Sequence, residues 1–184
     1  MTRELAIDVL KKNLKNENML KHSFASEAVL KALAKLKGEN EALWALAGLL
    51  HDVDYELTGA DPKRHGVEAE VVLKDYDIDQ SVIEAIKLHN ELATDIPRTK
   101  LLHHALAAGE TITGLITATA LVYPDKKLAN VKTKSVTKRM KEKSFAASVN
   151  RDTIMECEKM GLSLDEFAEA ALNAMKGISD DLGL

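Results

Sequence analysis

Residues 45–56 read ALAGLLHDVDYE, in which an apolar run leads directly into the polar pair His51-Asp52. The run does not alternate between apolar and polar residues, as a half-buried strand would, and it fits a helix in a protein core. His51 and Asp52 then stand at the end of that helix, on or near a buried face. The stretch therefore predicts a helical fold with chemistry-bearing side chains at the edge of its core.

The rest of the 184-residue chain carries the same helical signature. Aromatic residues make up only 4%, and Ala and Leu are abundant, which favours closely packed helices over sheets. The three prolines lie between periodic segments, and no segment alternates at period two for long enough to be a strand. Ala25, Val29, Ala32 and Leu36 predict the apolar face of one helix. The fold class predicted is all-α, with helices near residues 2–14, 19–37, 40–52, 63–76, 80–90, 99–121, 136–142, 151–160 and 163–182.

Composition and charge exclude several classes of protein. Hydrophobic residues make up 46% and charged residues 29%, which is a globular composition, and a net charge of −4 gives no general attraction to nucleic acid. A single cysteine, Cys157, excludes an internal disulfide framework and a cysteine-based zinc site, and it fits a reducing compartment. Residues 1–8 lack the apolar run of a secretion signal, so we expect a cytoplasmic protein.

One carboxylate interrupts a long apolar segment. Glu110 is the only acidic or basic residue between residues 101 and 122. The segment is long enough to span a membrane, but its histidines and threonines favour a buried core helix, and no membrane is expected as a partner. Burying an unpaired carboxylate is costly, so Glu110 should be exposed, protonated or bound to a cation.

Four of the six histidines, His22, His51, His65 and His89, stand on or near apolar faces of four different predicted helices. A buried imidazole needs partners for both of its nitrogens. A single such histidine is more often a core residue with its own polar partner, but four together favour a shared metal ion. Mixed imidazole and carboxylate ligands suit Fe, Mn, Zn, Ni or Mg.

The adjacent His103 and His104 point about 100° apart on a helix, so we expect only one of them to approach the metal cleft.

A basic segment follows the apolar helix. Residues 126–143 contain eight Lys or Arg residues and one acid, Glu142. Lys134 and Lys138 lie one helical turn apart, and Ser135 lies at a predicted helix N-terminus, so these three are candidates for binding a substrate phosphate. The alternative is a solvated helix face. Nucleic acid is not an expected partner, because the segment lacks aromatic residues for base stacking.

The pattern of His22, His51-Asp52 and a later acid on consecutive helices resembles the HD-domain superfamily of metal-dependent phosphohydrolases. Five strings resemble a bacterial-type branch of HD hydrolases: GLLHDVDYE at 48–56, RHGVEA at 64–69, AIKLHNE at 85–91, TGLITATALVYPDKKL at 113–128 and KSVTKRMKEKSFA at 134–146. The resemblance implies one HD-type helical bundle over residues 1–184, with a C-terminal helical extension over about 125–184.

The resemblance also implies a site. His22, His51 and Asp52 would bind one divalent ion, and Asp52 would bridge to a second in members that hold two. His65 and His89 are the candidates for the additional ligands. The final ligand of the family is usually aspartate, and Glu110 fills that place here with a side chain one methylene longer.

The predicted function is hydrolysis of a nucleotide or other small phosphate ester by a metal-activated water. Asp52 and Asp54 are the predicted catalytic residues, Asp54 as a proton acceptor or as an orienter of a ligand, with a helix-end acid as the alternative. The expected partner is the small phosphorylated substrate, and a homodimer is an option for a small acidic helical domain. Two rival functions are a non-catalytic HD module that binds metal or nucleotide in a regulatory role, and a di-iron oxygenase.

Overall fold

The computed structural model describes all residues, 1–184, and it is helical throughout. Ten α-helices and two short 3₁₀ helices are present, and there is no strand. The all-α prediction is therefore confirmed. The α-helices are α1 (Arg3–Asn13), α2 (Glu17–Lys37), α3 (Glu41–Leu50), α4 (Ala69–Leu73), α5 (Gln80–His89), α6 (Leu101–Leu121), α7 (Thr133–Arg139), α8 (Arg151–Met155), α9 (Leu164–Lys176) and α10 (Ser179–Leu182), with 3₁₀ turns at Leu128–Asn130 and Glu156–Met160.

Local sequence signals set the ends of the long helices. The Asn16 side chain accepts hydrogen bonds from the backbone N–H groups of Asn18 and Met19 and so starts α2. Gly38 ends α2 at a φ of +70°, which glycine adopts without strain. Ser163 and Glu166 form a capping box at the start of α9, as their spacing predicts.

Two glycines bring the central helices into close contact. A Cβ atom at Gly48 of α3 would lie 2.5 Å from the Ser26 carbonyl oxygen of α2, and one at Gly109 of α6 would lie 2.7 Å from Leu30 Cδ2. At Gly48 the neighbouring atoms are backbone, so only glycine permits the approach, and at Gly109 any added side chain would displace that of Leu30. The contacts place the end of α3 and the middle of α6 beside the middle of α2.

The C-terminal helices belong to the same hydrophobic core. Val136, Ile154, Phe167 and Leu172 are buried in one continuous cluster with the side chains of α2 and α6. Residues beyond 125 therefore extend the bundle through shared apolar burial.

The structure corrects three details of the predicted helices. The helix predicted over 63–76 is only α4, because Gly66 adopts a φ of +88° and residues 51–68 form successive turns. The last predicted helix divides into α9 and α10 around Gly177. Leu36, predicted on the apolar face of α2, is 53% exposed, although Leu33 and Ala34 in the preceding turn are fully buried.

None of the helices combines the length and the hydrophobicity that crossing a lipid bilayer requires.

Candidate metal centre

Three donor atoms meet where α2 faces the end of α3. His22 lies on α2, and His51 and Asp52 follow α3 directly. The two histidine Nε2 atoms are 3.1 Å apart. Asp52 Oδ2 lies 3.2 Å from His51 Nε2 and 3.5 Å from His22 Nε2. These three residues form a first group that could hold a metal ion.

A second group uses the other oxygen of Asp52. Asp52 Oδ1 lies 3.1 Å from His65 Nε2 and 4.0 Å from His89 Nε2. The Nε2 atoms of His65 and His89 are 3.1 Å apart. Asp52 is therefore shared between two groups of three donors, one on each side of its carboxylate.

Glu110 joins the first group from α6. Its Oε2 atom lies 3.5 Å from His22 Nε2, and its Oε1 accepts a hydrogen bond from the Thr111 hydroxyl. The added methylene thus leaves the carboxylate within reach of the cluster. The structure brings together all six side chains predicted as metal ligands: His22, His51, Asp52, His65, His89 and Glu110.

Hydrogen bonds at Nδ1 point the four imidazoles toward the cluster. The Nδ1–H of His51 donates to the Gly48 carbonyl over 2.8 Å, and that of His89 donates to the Ile86 carbonyl over 2.6 Å. Because a carbonyl can only accept, these bonds place the proton of a neutral imidazole on Nδ1 and leave Nε2 as a bare acceptor. His65 Nδ1 makes the equivalent bond to Asp54 over 2.8 Å.

Thr113 does the same for His22. The Thr113 hydroxyl donates to the Glu110 carbonyl over 2.7 Å, so it accepts from the Nδ1–H of His22 over 2.9 Å. When both imidazoles are neutral, each pair of facing Nε2 atoms presents two lone pairs to the same space. Two unprotonated nitrogens cannot hydrogen-bond to each other, and a cation between them satisfies both.

The donor separations fit a transition-metal ion. Ligand atoms about 2.0–2.2 Å from such an ion lie about 2.8–3.6 Å from one another in tetrahedral or octahedral geometry. All four of the donor separations given above for the first group fall between 3.1 and 3.5 Å. The residues present therefore fit a divalent ion in both spacing and chemistry.

The cluster also shifts the pKa values of its acids. Burial alone would raise the pKa of Asp52, but His51, His65 and His22 hold it well below its ordinary value. Burial likewise acts to raise the pKa of Glu110, and the hydrogen bond and charge of His22 outweigh it, so the net shift is downward. Both carboxylates are therefore ionised at neutral pH, which is the form that binds metal.

The histidines of the second group are shifted in opposite directions. Burial favours the neutral form of His65, yet its hydrogen bonds with Asp52 and Asp54 raise its pKa to about 9. Burial, together with the nearby His51 and His65, lowers the pKa of His89 to about 4. In the ion-free chain at pH 7, His89 is thus neutral and its Nε2 lone pair is available to a metal ion, whereas His65 must release a proton before it can bind one.

Asp54 lies behind the cluster. It has no exposed surface, and its two oxygens accept hydrogen bonds from His65 Nδ1 and from the backbone N–H of Gly66. This geometry fits the predicted orienting role. It does not favour the alternative role of proton acceptor, because Asp54 is fully buried and does not line the cleft.

The two metal-binding groups open into a cleft of about 380 Å³. Its walls include five of the six donor residues, all but the fully buried His51. The other lining side chains are mostly neutral: Met19, Tyr55, Asn90, Glu91, Leu92, Thr111, Gly114, Ser148, Val149, Asn150 and Thr153.

The residues predicted to bind the substrate phosphate do not line this cleft. Lys134, Ser135 and Lys138 lie on α7, beyond the far end of α6. The Ser135 hydroxyl is 2.8 Å from the Tyr123 hydroxyl, and Lys138 pairs with Glu142 at 3.8 Å. These three residues therefore do not contribute to the cleft that holds the metal-binding groups, because α7 packs against α9 and α6.

Neither His103 nor His104 reaches the cleft, contrary to the expectation that one of them would. His103 is buried at the start of α6, where its Nδ1 accepts from the backbone N–H of Thr99 and Lys100. His104 Nδ1 donates to Glu156 over 2.7 Å.

Hydrogen bonds from Arg98 hold the end of α5, which carries His89, in position. The Arg98 guanidinium donates to the carbonyl oxygens of Leu88 and His89 and forms a bidentate pair with Glu156. Burial acts to raise the pKa of Glu156, but the hydrogen bonds from Arg98 and His104 lower it below the ordinary value. Charge-assisted bonds of this kind are strong and fix the end of α5 against the segment after α8.

Sequence reasoning missed several residues that orient the ligands. Thr113 follows Glu110 by one helical turn, and that spacing was the available signal for its role. Gly66 follows His65 directly, and a Cβ atom there would lie 3.0 Å from the Ile86 carbonyl oxygen and 3.3 Å from the His89 ring. Asn90 donates to the carbonyl oxygens of Pro62 and His65, a contact that no local pattern announces.

Comparison with known families gives one match. The model of the HD domain matches residues 19–115, a span that covers more than half of the chain and contains all six donor residues. No solved structure matches the chain.

Proposed function

The chain belongs to the HD-domain family, whose members are typically metal-dependent phosphohydrolases, and on that premise we propose that it hydrolyses a small phosphate ester, nucleotides included among the candidates. One observation carries the proposal: two groups of imidazole and carboxylate donors share Asp52 at the base of an open cleft. We propose His22, His51, Asp52 and Glu110 as ligands of one divalent ion, and Asp52, His65 and His89 as ligands of a second. Fe, Mn, Ni, Zn and Mg are the candidates.

Divalent ions held by these residues would polarise a phosphoryl group and lower the pKa of water in the cleft. The protein's own part is to keep the ligands aligned. Asp54, Thr113 and the carbonyls of Gly48 and Ile86 hold each imidazole by Nδ1, so that all four Nε2 atoms face the same space. Preorganised ligands of this kind bind an ion with little rearrangement.

The cleft is open on the side away from the ligands, where Ser148 and Asn150 are exposed. A phosphate ester can enter there with its phosphate toward Asp52 and its leaving group toward the mouth. Glu110 lines the same cleft and joins the first group through its contact with His22.

The test is to measure metal content and phosphatase activity on the same preparations. We expect the purified chain, loaded in turn with each candidate ion, to hydrolyse p-nitrophenyl phosphate with at least one of them. Asp52→Asn should lose both groups at once. Substituting a residue that only orients a metal ligand typically lowers metal affinity or activity by about 10–100-fold. Asp52 is proposed as a ligand in both groups, so we expect its substitution to lower activity by at least about 100-fold.

Asp75→Asn is the matched control, since Asp75 is an exposed acid away from the cleft. It should leave metal content and rate unchanged. Full metal loading without turnover on a broad panel of phosphate esters would contradict the hydrolase and favour a regulatory metal-binding module. Oxygen consumption by the reduced iron-loaded protein would favour an oxygenase instead.

A further inference from the structure

The wall of the cleft that faces the metal ligands carries hydroxyl groups. Tyr55, Ser148 and Thr153 all line the cleft. Thr153 is only 7% exposed, whereas Ser148 lies at the open mouth. None of the three hydroxyls forms a hydrogen bond within the protein, so each is free to bond to a ligand. Their position suits the part of a substrate that projects away from the ions.

The neighbouring cations are held elsewhere. Arg98 is paired with Glu156 and Glu91, and Arg151 donates to the carbonyl oxygens of Phe145, Ala146 and Val149. No Lys or Arg is among the residues that line the cleft. The ions would thus be the source of positive charge for a bound phosphate.

This distribution of charge discriminates among phosphate esters. A single phosphate beside the ions is neutralised where it binds. Further phosphates of a di- or triphosphate would lie beyond the ions, in a cleft whose lining includes Glu91 and has no cationic side chain to pair with them. Unpaired like charges in a partly desolvated cleft oppose binding. The hydroxyl groups, in contrast, match a neutral leaving group that bears hydroxyls of its own.

From this arrangement, and resting on the proposed function, we infer that the substrate is a phosphomonoester of a small, uncharged polyhydroxy compound, such as a polyol or sugar monophosphate. Tyr55, Ser148 and Thr153 hydrogen-bond to its hydroxyls and set the specificity. Nucleoside di- and triphosphates are disfavoured by charge. A nucleoside monophosphate is disfavoured because Tyr55 is the only aromatic residue, apart from the histidines, in a cleft of about 380 Å³.

The experiment compares kcat/KM of the metal-loaded full chain on five substrates: glucose 6-phosphate, glycerol 3-phosphate, AMP, ATP and p-nitrophenyl phosphate. We expect at least one of the first two to exceed AMP and ATP by about 10-fold or more, which corresponds to two neutral hydrogen bonds. AMP or ATP turned over as well as the hydroxylated esters would overturn the inference and leave the hydrolase intact. No turnover of any of the five would instead overturn the proposed function together with this inference.

Variants test the hydroxyl wall directly. Ser148→Ala and Thr153→Val should each raise KM for the hydroxylated ester by about 5-fold, with a smaller effect on kcat. The preference for that ester over p-nitrophenyl phosphate should fall by the same factor. Ser144→Ala is the matched control, because Ser144 is exposed on the same segment and does not line the cleft. An unchanged preference in both cleft variants would refute the assignment.

Discussion

Gly66→Ala should damage the second metal-binding group through the backbone. Gly66 has a φ of +88°, and an added Cβ would lie 3.0 Å from the Ile86 carbonyl oxygen and 3.3 Å from the His89 ring. The left-handed backbone costs an alanine about 1–2 kcal/mol, and crowding of a packed site adds about 1–3 kcal/mol. We therefore expect a loss of about 3 kcal/mol in the free energy of unfolding. For a chain of this size that lowers Tm by about 6–12 °C.

The same substitution should impair metal binding and catalysis. His65 precedes Gly66, and the Ile86 carbonyl that the new methyl group would press on accepts the Nδ1–H of His89. Both imidazoles must move, so we expect metal affinity at the second group and kcat/KM to fall by about 10–100-fold. Differential scanning calorimetry, metal titration of the chelated protein and a phosphatase assay measure the three quantities.

Gly59→Ala separates backbone strain from the contact with His89. Gly59 also has a positive φ, of +59°, but a Cβ atom there would meet nothing within 4 Å. We expect this control to lower Tm by about 2–8 °C and to leave metal binding unchanged. Gly66→Ala with the metal affinity of the unmodified chain, or Gly59→Ala with an equal loss of affinity, would refute the reasoning.

Three further outcomes follow from contacts in and around the cleft. Thr113→Val removes the acceptor for the Nδ1–H of His22, so metal affinity should fall about 10–100-fold by titration while the far-ultraviolet circular-dichroism spectrum stays the same. Glu156→Gln should lower the free energy of unfolding by about 1–3 kcal/mol, as measured by urea denaturation at pH 7. Because folding lowers the pKa of Glu156, its ionised carboxylate stabilises the fold fully above the ordinary pKa of 4.5, and this stabilisation is lost as the pH falls through the lowered pKa. The difference in free energy of unfolding between Glu156→Gln and the unmodified chain should therefore disappear in acid. Replacing Lys134 and Lys138 with Ala should leave kcat/KM within about 2-fold of the unmodified chain, since neither lysine lines the cleft. A decrease of about 10-fold or more would instead support the prediction that they bind the substrate phosphate.

The sequence predicts which side chains converge because His22, His89 and Glu110 lie on helices and His51 and Asp52 directly follow one, whereas His65 lies in a turn and not on the predicted helix. Helical periodicity alone places His22, His65 and His89 toward the core, and Glu110 is conspicuous as a lone charge. The structure brings these side chains within a few ångströms of one another. Their identity as ligands follows from that convergence only as a proposal, which the metal measurements test.

What the sequence does not predict depends on how helices pack. Asp52 and Asp54 are two residues apart, yet one faces the cleft and the other is sealed behind His65, because residues 51–68 form turns with no fixed period. Lys134 and Lys138 have the charge and the one-turn spacing that suit a phosphate. Their distance from the metal-binding groups, however, is set by the position of α7 after the end of α6. Leu36 follows the apolar period of α2 and is nevertheless 53% exposed, so the period alone does not predict its burial.

The close packing at Gly48 and Gly109 has a consequence for the ion-free protein. Since Gly48 of α3 lies against the backbone of α2, and Gly109 of α6 lies against the α2 side chains of Val29, Leu30 and Leu33, the spacing of the first metal-binding group is determined by how the helices pack. The conformational entropy of gathering the ligands is lost during folding and not during metal uptake, unlike in a zinc finger, where the ion organises the chain. Removing the ions with a chelator should therefore abolish turnover and leave the helical structure intact. Activity should return as soon as the ion is added back.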